Sequence, residues 1–247
     1  MCNNSKNQDA VELHCLNMVR KNLIKTNCFG LSDSDFKDVE NFLNIASANL
    51  ESTKFPDFIF DNGIIEHFMV TSSSVTKKGA KQIIASRQLE LKTEQDFLKK
   101  IEQSKETITT HRSTQFYQEH SLTNIRTSIK NSWEKHIKSL RKYPYEAISS
   151  IFLMQYADNI LQTAEQRNNY ESIVHDSYRI TLDKHMLEWI YSYKDEVKYA
   201  ILSNTYSTEI IKIESIPDIS RDLPSILVAP VFGMETHSFI GGKIYRN

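Results

Sequence analysis

Asp57 and Glu66 are the two side chains of this 247-residue chain whose type and placement best suit chemistry. They lie in the stretch FPDFIFDNGIIEHFMVTSSS, from Phe55 to Ser74. Two carboxylates brought to a common point hold a hard divalent cation such as Mg²⁺, which takes oxygen ligands, waters and substrate phosphate. An ion held in that way polarises a phosphodiester and generates hydroxide from its bound water. The chemistry therefore depends on whether the local fold makes the acids converge.

The elements that must position them form a β-hairpin. Two apolar runs flank Asp61-Asn62-Gly63, and Asn-Gly is the strongest short-range signal for a two-residue type I′ turn. With Asn62 and Gly63 as the loop, Asp61 pairs with Ile64, Ile59 with Glu66, and Asp57 with Phe68. Paired residues share a face, and faces alternate along each strand. Asp57, Ile59, Asp61, Ile64, Glu66 and Phe68 then point one way, and Phe58, Phe60, Ile65, His67 and Met69 the other. Both faces are apolar enough to be covered by other elements. Asp57 and Glu66 share a face, diagonally offset. His67, between apolar neighbours, reads as a core histidine, although a register slip of one residue would carry it to the acids' face.

Pro56-Asp57, a hairpin, and Glu66 on its second strand together resemble the PD-(D/E)xK nuclease pattern of restriction endonuclease-like folds. The resemblance runs from Pro56 to Phe68 and implies Asp57 and Glu66 as metal ligands, Mg²⁺ as cofactor and DNA as substrate. It also implies a lysine two residues after the second acid, which activates water and stabilises developing charge. Phe68 stands at that position. Some members of the superfamily supply the basic group from elsewhere, often a neighbouring helix. Lys77, Lys78, Lys81 and Gln82 follow the second strand here, and Lys78 is taken as the catalytic lysine. Asp61 and Asp158 are further acids for the same site. The alternative keeps Asp57 and Glu66 structural, with Pro56 opening a strand and the carboxylates exposed or salt-bridged.

Leu122 to Lys142 is the clearest amphipathic helix, with Leu122, Ile125, Ile129, Trp133, Ile137 and Leu140 on one stripe. From Arg126 to Lys142 it carries six Lys/Arg against one Glu, so a second stripe is either a solvated face or a phosphate-contacting one. In the second case Arg126, Lys130 and Lys138 contact nucleic acid.

Around these stretches the periodicity predicts a helix over 10–25, ended by Asn27 and Gly30, and a second helix opened by Ser32 to Asp35. Thr93 followed by Asp96 reads as a capping box for a helix carrying Phe97, Ile101 and Ile108. Residues 109–120 read as a polar loop, 147–156 as a buried strand, and 162–181 as a loop or short helix. Leu182, Met186, Trp189, Tyr193 and Val197 form another helical stripe. Strands follow at 198–203 and 208–214, with an edge strand at 226–232 and then a polar tail.

Composition narrows the classes. Net charge is −1, which gives no global attraction to nucleic acid or anionic membrane. Cys2, Cys15 and Cys28 contain no CxxC pair, so they read as thiols of a reducing cytoplasm rather than a disulfide or zinc framework. The polar N-terminus and the lack of a long apolar run predict neither signal peptide nor membrane span, hence a cytoplasmic location. No HExxH or GxSxG is present, which argues against a zincin or a covalent hydrolase.

The expected architecture is α/β: a central mixed sheet flanked by helices, restriction endonuclease-like, with an N-terminal helical hairpin. Residues 1–52 form the helical segment packed on the core, and 53–247 the α/β core domain. The expected function is a metal-dependent nuclease. The alternative is a non-catalytic interaction or accessory protein of a bacterial system, which predicts a sizeable exposed apolar patch or the interface of a homodimer.

Overall fold

Ser32 opens a helix as its sequence requires: its hydroxyl accepts from the Asp35 N–H at 3.1 Å, and its own N–H donates to Asp35 Oδ2 at 3.0 Å. This reciprocal cap sets the start of α2 (Asp33–Ile45), which follows α1 (Asn3–Lys21) and the short strand β1 (Cys28–Phe29). The computed structural model describes residues 3–49, 55–73, 80–103, 109–116, 120–144, 149–166, 172–224, 227 and 234–241. Next come β2 (Ser47–Ala48), β3 (Phe58–Phe60), β4 (Gly63–Val70), α3 (Ala80–Gln103), β5 (Thr109–Phe116) and α4 (Leu122–Leu140). The chain continues through β6 (Ser149–Tyr156), β7 (Thr163–Gln166), β8 (Ser172–His175) and α5 (Lys184–Tyr191). It ends with β9 (Tyr199–Ser203), β10 (Thr208–Lys212), α6 (Ile216–Ser220) and β11 (Met234–Gly241).

The main sheet has seven strands in the order β1-β10-β9-β6-β4-β3-β2. The pairs β4–β6, β6–β9 and β1–β10 are parallel, whereas β2–β3, β3–β4 and β9–β10 are antiparallel. The sheet is mixed, and β4, β6 and β9 at its centre are apolar runs because both faces are covered. Alternate residues of β4, β6, β9 and β10 feed two separate cores. Cys15, Leu16 and Val19 of α1 and Val39 and Leu43 of α2 pack on Phe58, Phe60, Ile65, Ile151, Leu153 and Ile201. On the other face, Ile125, Ile129, Trp133 and Ile137 of α4 and Met186, Leu187 and Ile190 of α5 pack on Phe68, Val70, Phe152, Met154 and Leu202. Of the α4 stripe expected from sequence, Ile125, Ile129, Trp133 and Ile137 are buried and Leu122 and Leu140 partly so. Cys15 and Cys28 are free thiols, pushed up to about 12 and about 11 by burial. No helix among the described residues is long and apolar enough to cross a membrane.

The hairpin forms, but not in the expected register. Phe60 pairs with Gly63, Ile59 with Ile64 and Phe58 with Ile65, so the loop is Asp61-Asn62. Asn62 takes φ 60°, while Gly63 is drawn into the strand, where it also pairs with Ser149 of β6. Glycine is required there for space: a Cβ would lie 2.1 Å from the Phe60 ring and 2.6 Å from the Ser149 carbonyl. The shift is two residues, so the side chains of β3 and β4 keep their expected faces.

Other expectations are corrected outright. Thr93 lies inside the single helix α3, where its hydroxyl donates to the Leu89 carbonyl at 2.6 Å instead of capping a new start. Residues 109–116 are not loop: they pair antiparallel with the tail strand β11, from Met234↔Phe116 to Gly241↔Thr109. Their polarity misleads because this ribbon lays one face on α3, where Phe97 stacks on Phe239, and leaves Ile240 76% exposed on the other. Residues 163–166 and 172–175 likewise form a hairpin rather than loop or helix. The edge strand expected at 226–232 lies outside the described residues, apart from Leu227.

Candidate metal centre

Because β3 begins at Phe58, Asp57 sits at the mouth of the hairpin across from Glu66. Its N–H donates to Glu66 Oε2 at 3.1 Å, and its own Oδ2 accepts the His67 N–H at 2.7 Å. The second bond takes the place of the ladder bond that β3 no longer supplies. Glu66 points toward α4, where its Oε1 lies 2.5 Å from His136 Nδ1. The His136 ring is stacked flat on Phe68, with centroids 4.8 Å apart and an interplanar angle of 9°. His67 points to the opposite face, toward α1, with Nε2 at 2.9 Å from Gln155 Oε1 of β6.

On that face Glu12 of α1 completes a group. One ligand atom each from Glu12, Asp57 and His67 lies within 4.8 Å of the others. Donors about 2.0–2.2 Å from one ion are at most about 4.4 Å apart, so closing on a cation takes only small side-chain movements. Two carboxylates and an imidazole fit a divalent metal, and this buried group can hold one.

Burial governs the charge state. Asp57 is pushed up to about 7 by burial and then by the negative charge of Glu66, with the His67 N–H bond and His136 pulling back. Glu66 is pushed up to about 8 by burial, opposed by its bonds to Asp57 and by Lys135, while Glu12 adds to the rise. Both acids keep protons in the folded state at pH values where the unfolded chain has released them. The folded state therefore binds more protons between about pH 4 and 8, and stability falls as pH rises through that window. Urea unfolding with a chelator present should show this decline, and Glu66→Gln should flatten it. An identical pH slope in the variant would remove Glu66 from the account.

Asp57 and Glu66 are thus adjacent, as the sequence predicts, but the ligand group takes Glu12 and His67 where Glu66 was expected. Glu66 has both oxygens engaged, by Asp57 and His136. His67 is buried, as expected of a core residue, yet it joins the acids through Asp57, whose carboxylate lies between the two faces of β4. Glu12, His136 and Gln155 were missed. Glu12 had a readable signal: it falls on the stripe Glu12-Cys15-Leu16-Val19, an acid on a buried helical face. Lys77 and Lys78 lie outside the described residues, as do the side chains of Lys81 and Gln82.

Asp61 is exposed at the hairpin tip. Asp158 belongs to a different, buried network at the carboxyl ends of β4 and β6. It accepts from Thr71 Oγ1, from the Ser72 N–H at 3.0 Å and from Ser72 Oγ at 2.8 Å. Ser72 Oγ in turn accepts from the Tyr156 hydroxyl at 2.9 Å and lies 2.7 Å from His120 Nδ1. The Ser72 hydroxyl donates to the Asp158 carboxylate, and the group clamps the ends of β4 and β6 together.

The basic helix face divides. Arg126 donates from Nε and Nη2 to Asp183 at 2.8 and 2.7 Å. Asp183 is wholly buried, accepts from the Tyr178 hydroxyl at 2.8 Å, and caps α5 through the Met186 N–H at 3.2 Å. Arg126→Ala should cost about 2 kcal/mol in chemical unfolding, below the full loss for a buried pair because its side chain is 25% exposed. A loss under about 0.5 kcal/mol would mean that the pair holds nothing. Lys130 Nζ is 3.1 Å from His185 Nε2 and 5.4 Å above the Trp189 ring, and Lys138 is exposed.

Taken together, the centre joins three acids and two imidazoles from α1, the hairpin and α4 around one half of β4. No protein-family model, no curated protein and no solved structure matches the chain.

Proposed function

We propose that this protein is a divalent-metal-dependent phosphodiesterase acting on nucleic acid, with Glu12, Asp57 and His67 as ligands. The observation that carries the reading is the convergence of those ligand atoms within 4.8 Å at the mouth of the hairpin. The PD–E resemblance adds DNA as the polymer, and the carboxylate oxygens suit Mg²⁺. When bound, a divalent cation supplies Lewis acidity and a water of lowered pKa. Glu66 orients Asp57 through its main-chain N–H, and His136 orients Glu66. Lys135 and His136 on α4 place basic groups beside the acids, the role assigned in the sequence to a lysine after β4. Lys130 and Lys138, on either side of these along α4, would meet phosphates.

Purified protein incubated with plasmid DNA and with RNA should cleave one of them only when Mg²⁺ or Mn²⁺ is added. Glu12→Gln should lower the rate by about 100-fold or more. Absence of cleavage with either ion, or full activity in Glu12→Gln, sinks the proposal. One observation favours the non-catalytic alternative: Asp57 and Glu66 each accept a main-chain N–H, which is a structural role complete in itself. Under that alternative, added metal changes neither stability nor activity.

A further inference from the structure

We propose that the centre selects a first-row transition dication, bound through His67, over Mg²⁺. The inference rests on the metal reading above and assigns the class of ion. Mg²⁺ takes oxygen donors in near-ideal octahedral geometry and keeps several waters. Imidazole suits zinc, iron and nickel, while carboxylates accept magnesium and manganese alike. A group of two carboxylates and one imidazole is therefore biased toward ions that accept nitrogen.

His67 is placed for that role. It is 7% exposed, and its main-chain N–H is held by Asp57. Its ring is oriented by Gln155, whose Oε1 lies 2.9 Å from Nε2. With Nε2 donating to that amide oxygen, Nδ1 would be the nitrogen that meets a metal, and a partner of this kind is what fixes a metal-binding histidine. Gln155 and His67 project to the same face of neighbouring strands, the face on which Glu12 arrives from α1. Gln155 is then a positioning residue and His67 the ligand that decides the ion.

The test is calorimetric titration of the metal-free, full-length protein with Mn²⁺, Zn²⁺ and Mg²⁺, together with pulsed electron paramagnetic resonance of the Mn²⁺-loaded protein. Mn²⁺ and Zn²⁺ should each bind about tenfold or more tighter than Mg²⁺, and the spectrum should show ¹⁴N coupling. His67→Asn should bring Mn²⁺ and Mg²⁺ to within about threefold of each other. Gln155→Ala should weaken Mn²⁺ by about tenfold, and Gln155→Glu, which keeps an acceptor, should restore it. Equal affinities for Mn²⁺ and Mg²⁺, an unchanged ratio in His67→Asn, or a spectrum without nitrogen coupling overturns the proposal while leaving a metal site in place. If His67→Asn does not fold, the spectrum of the native protein decides. No saturable binding of any of the three ions overturns both this proposal and the metal reading beneath it.

Discussion

Asp57→Asn is expected to lose metal-dependent cleavage by roughly 10²–10³-fold, the scale for removing a central electrostatic contact, while folding as stably as the native protein or more so. The two effects separate because Asp57 does two things. On the proposed function its charge would serve a cation, and its Oδ2 accepts the His67 N–H at 2.7 Å. Asparagine keeps an acceptor for that N–H and removes the charge. Since Asp57 is pushed up to about 7 by burial and by Glu66, its ionised form is the costly one. At pH 8 the asparagine variant should gain about 2–4 kcal/mol in the absence of metal. Asp57→Ala would leave the His67 N–H without its acceptor and cost about 1–3 kcal/mol, so it cannot separate the roles. Urea unfolding beside a cleavage assay checks the prediction. An asparagine variant that is both less stable and fully active would show that Asp57 is structural alone.

Phe68→Lys would restore the acid-x-lysine spacing of the nuclease pattern, and it should fail. Phe68 is 5% exposed, stacked on His136 and edge-on to Trp133 and Phe152, at 6.4 and 5.7 Å between centroids. Removing a buried phenylalanine costs about 3–5 kcal/mol, and an ammonium left in that core adds a desolvation cost. Against a total stability of about 5–15 kcal/mol, melting should fall by at least about 10 °C. Retention of the native melting temperature, with faster cleavage, would mean that the lysine reaches solvent at the centre and that α4 does not supply the basic group. His136→Ala is the companion measurement, since it removes that group without placing a charge in the core.

The failed spacing shows where reading the sequence stops. A residue two positions after Glu66 points to the same face as Glu66, and that face is covered by the apolar stripe of α4. With Trp133 packed there, position 68 is filled by an aromatic ring, and a basic side chain beside Glu66 comes from the helix. His136 lies beside Glu66 because it neighbours Trp133 and Ile137 on the covering side of α4. Nothing in residues 55–74 specifies which helix covers that face or at what height.

Local rules did settle a good deal. The Ser32 cap, the stripe of α4, the two strands of the hairpin and the division of their side chains between faces are all dictated by short-range geometry. The hairpin register differs from the expected one by two residues because Gly63 also pairs with β6, a strand far away in the chain. The face assignment survived because strands repeat every two residues. By contrast, β5 and β11 have no local turn to announce them, and their pairing exists only once α3 offers one face of the ribbon a place to pack.

The same division holds at the centre. By itself the sequence determined that Asp57 and Glu66 meet at one hairpin and that His67 points away from Glu66. Only the tertiary structure decided that Asp57 lies between both faces of β4, with Glu12 reaching it from α1 and His136 reaching Glu66 from α4. The physical reason is that strand periodicity assigns a residue to a face, whereas what covers that face is fixed by how helices distant in sequence pack on the sheet.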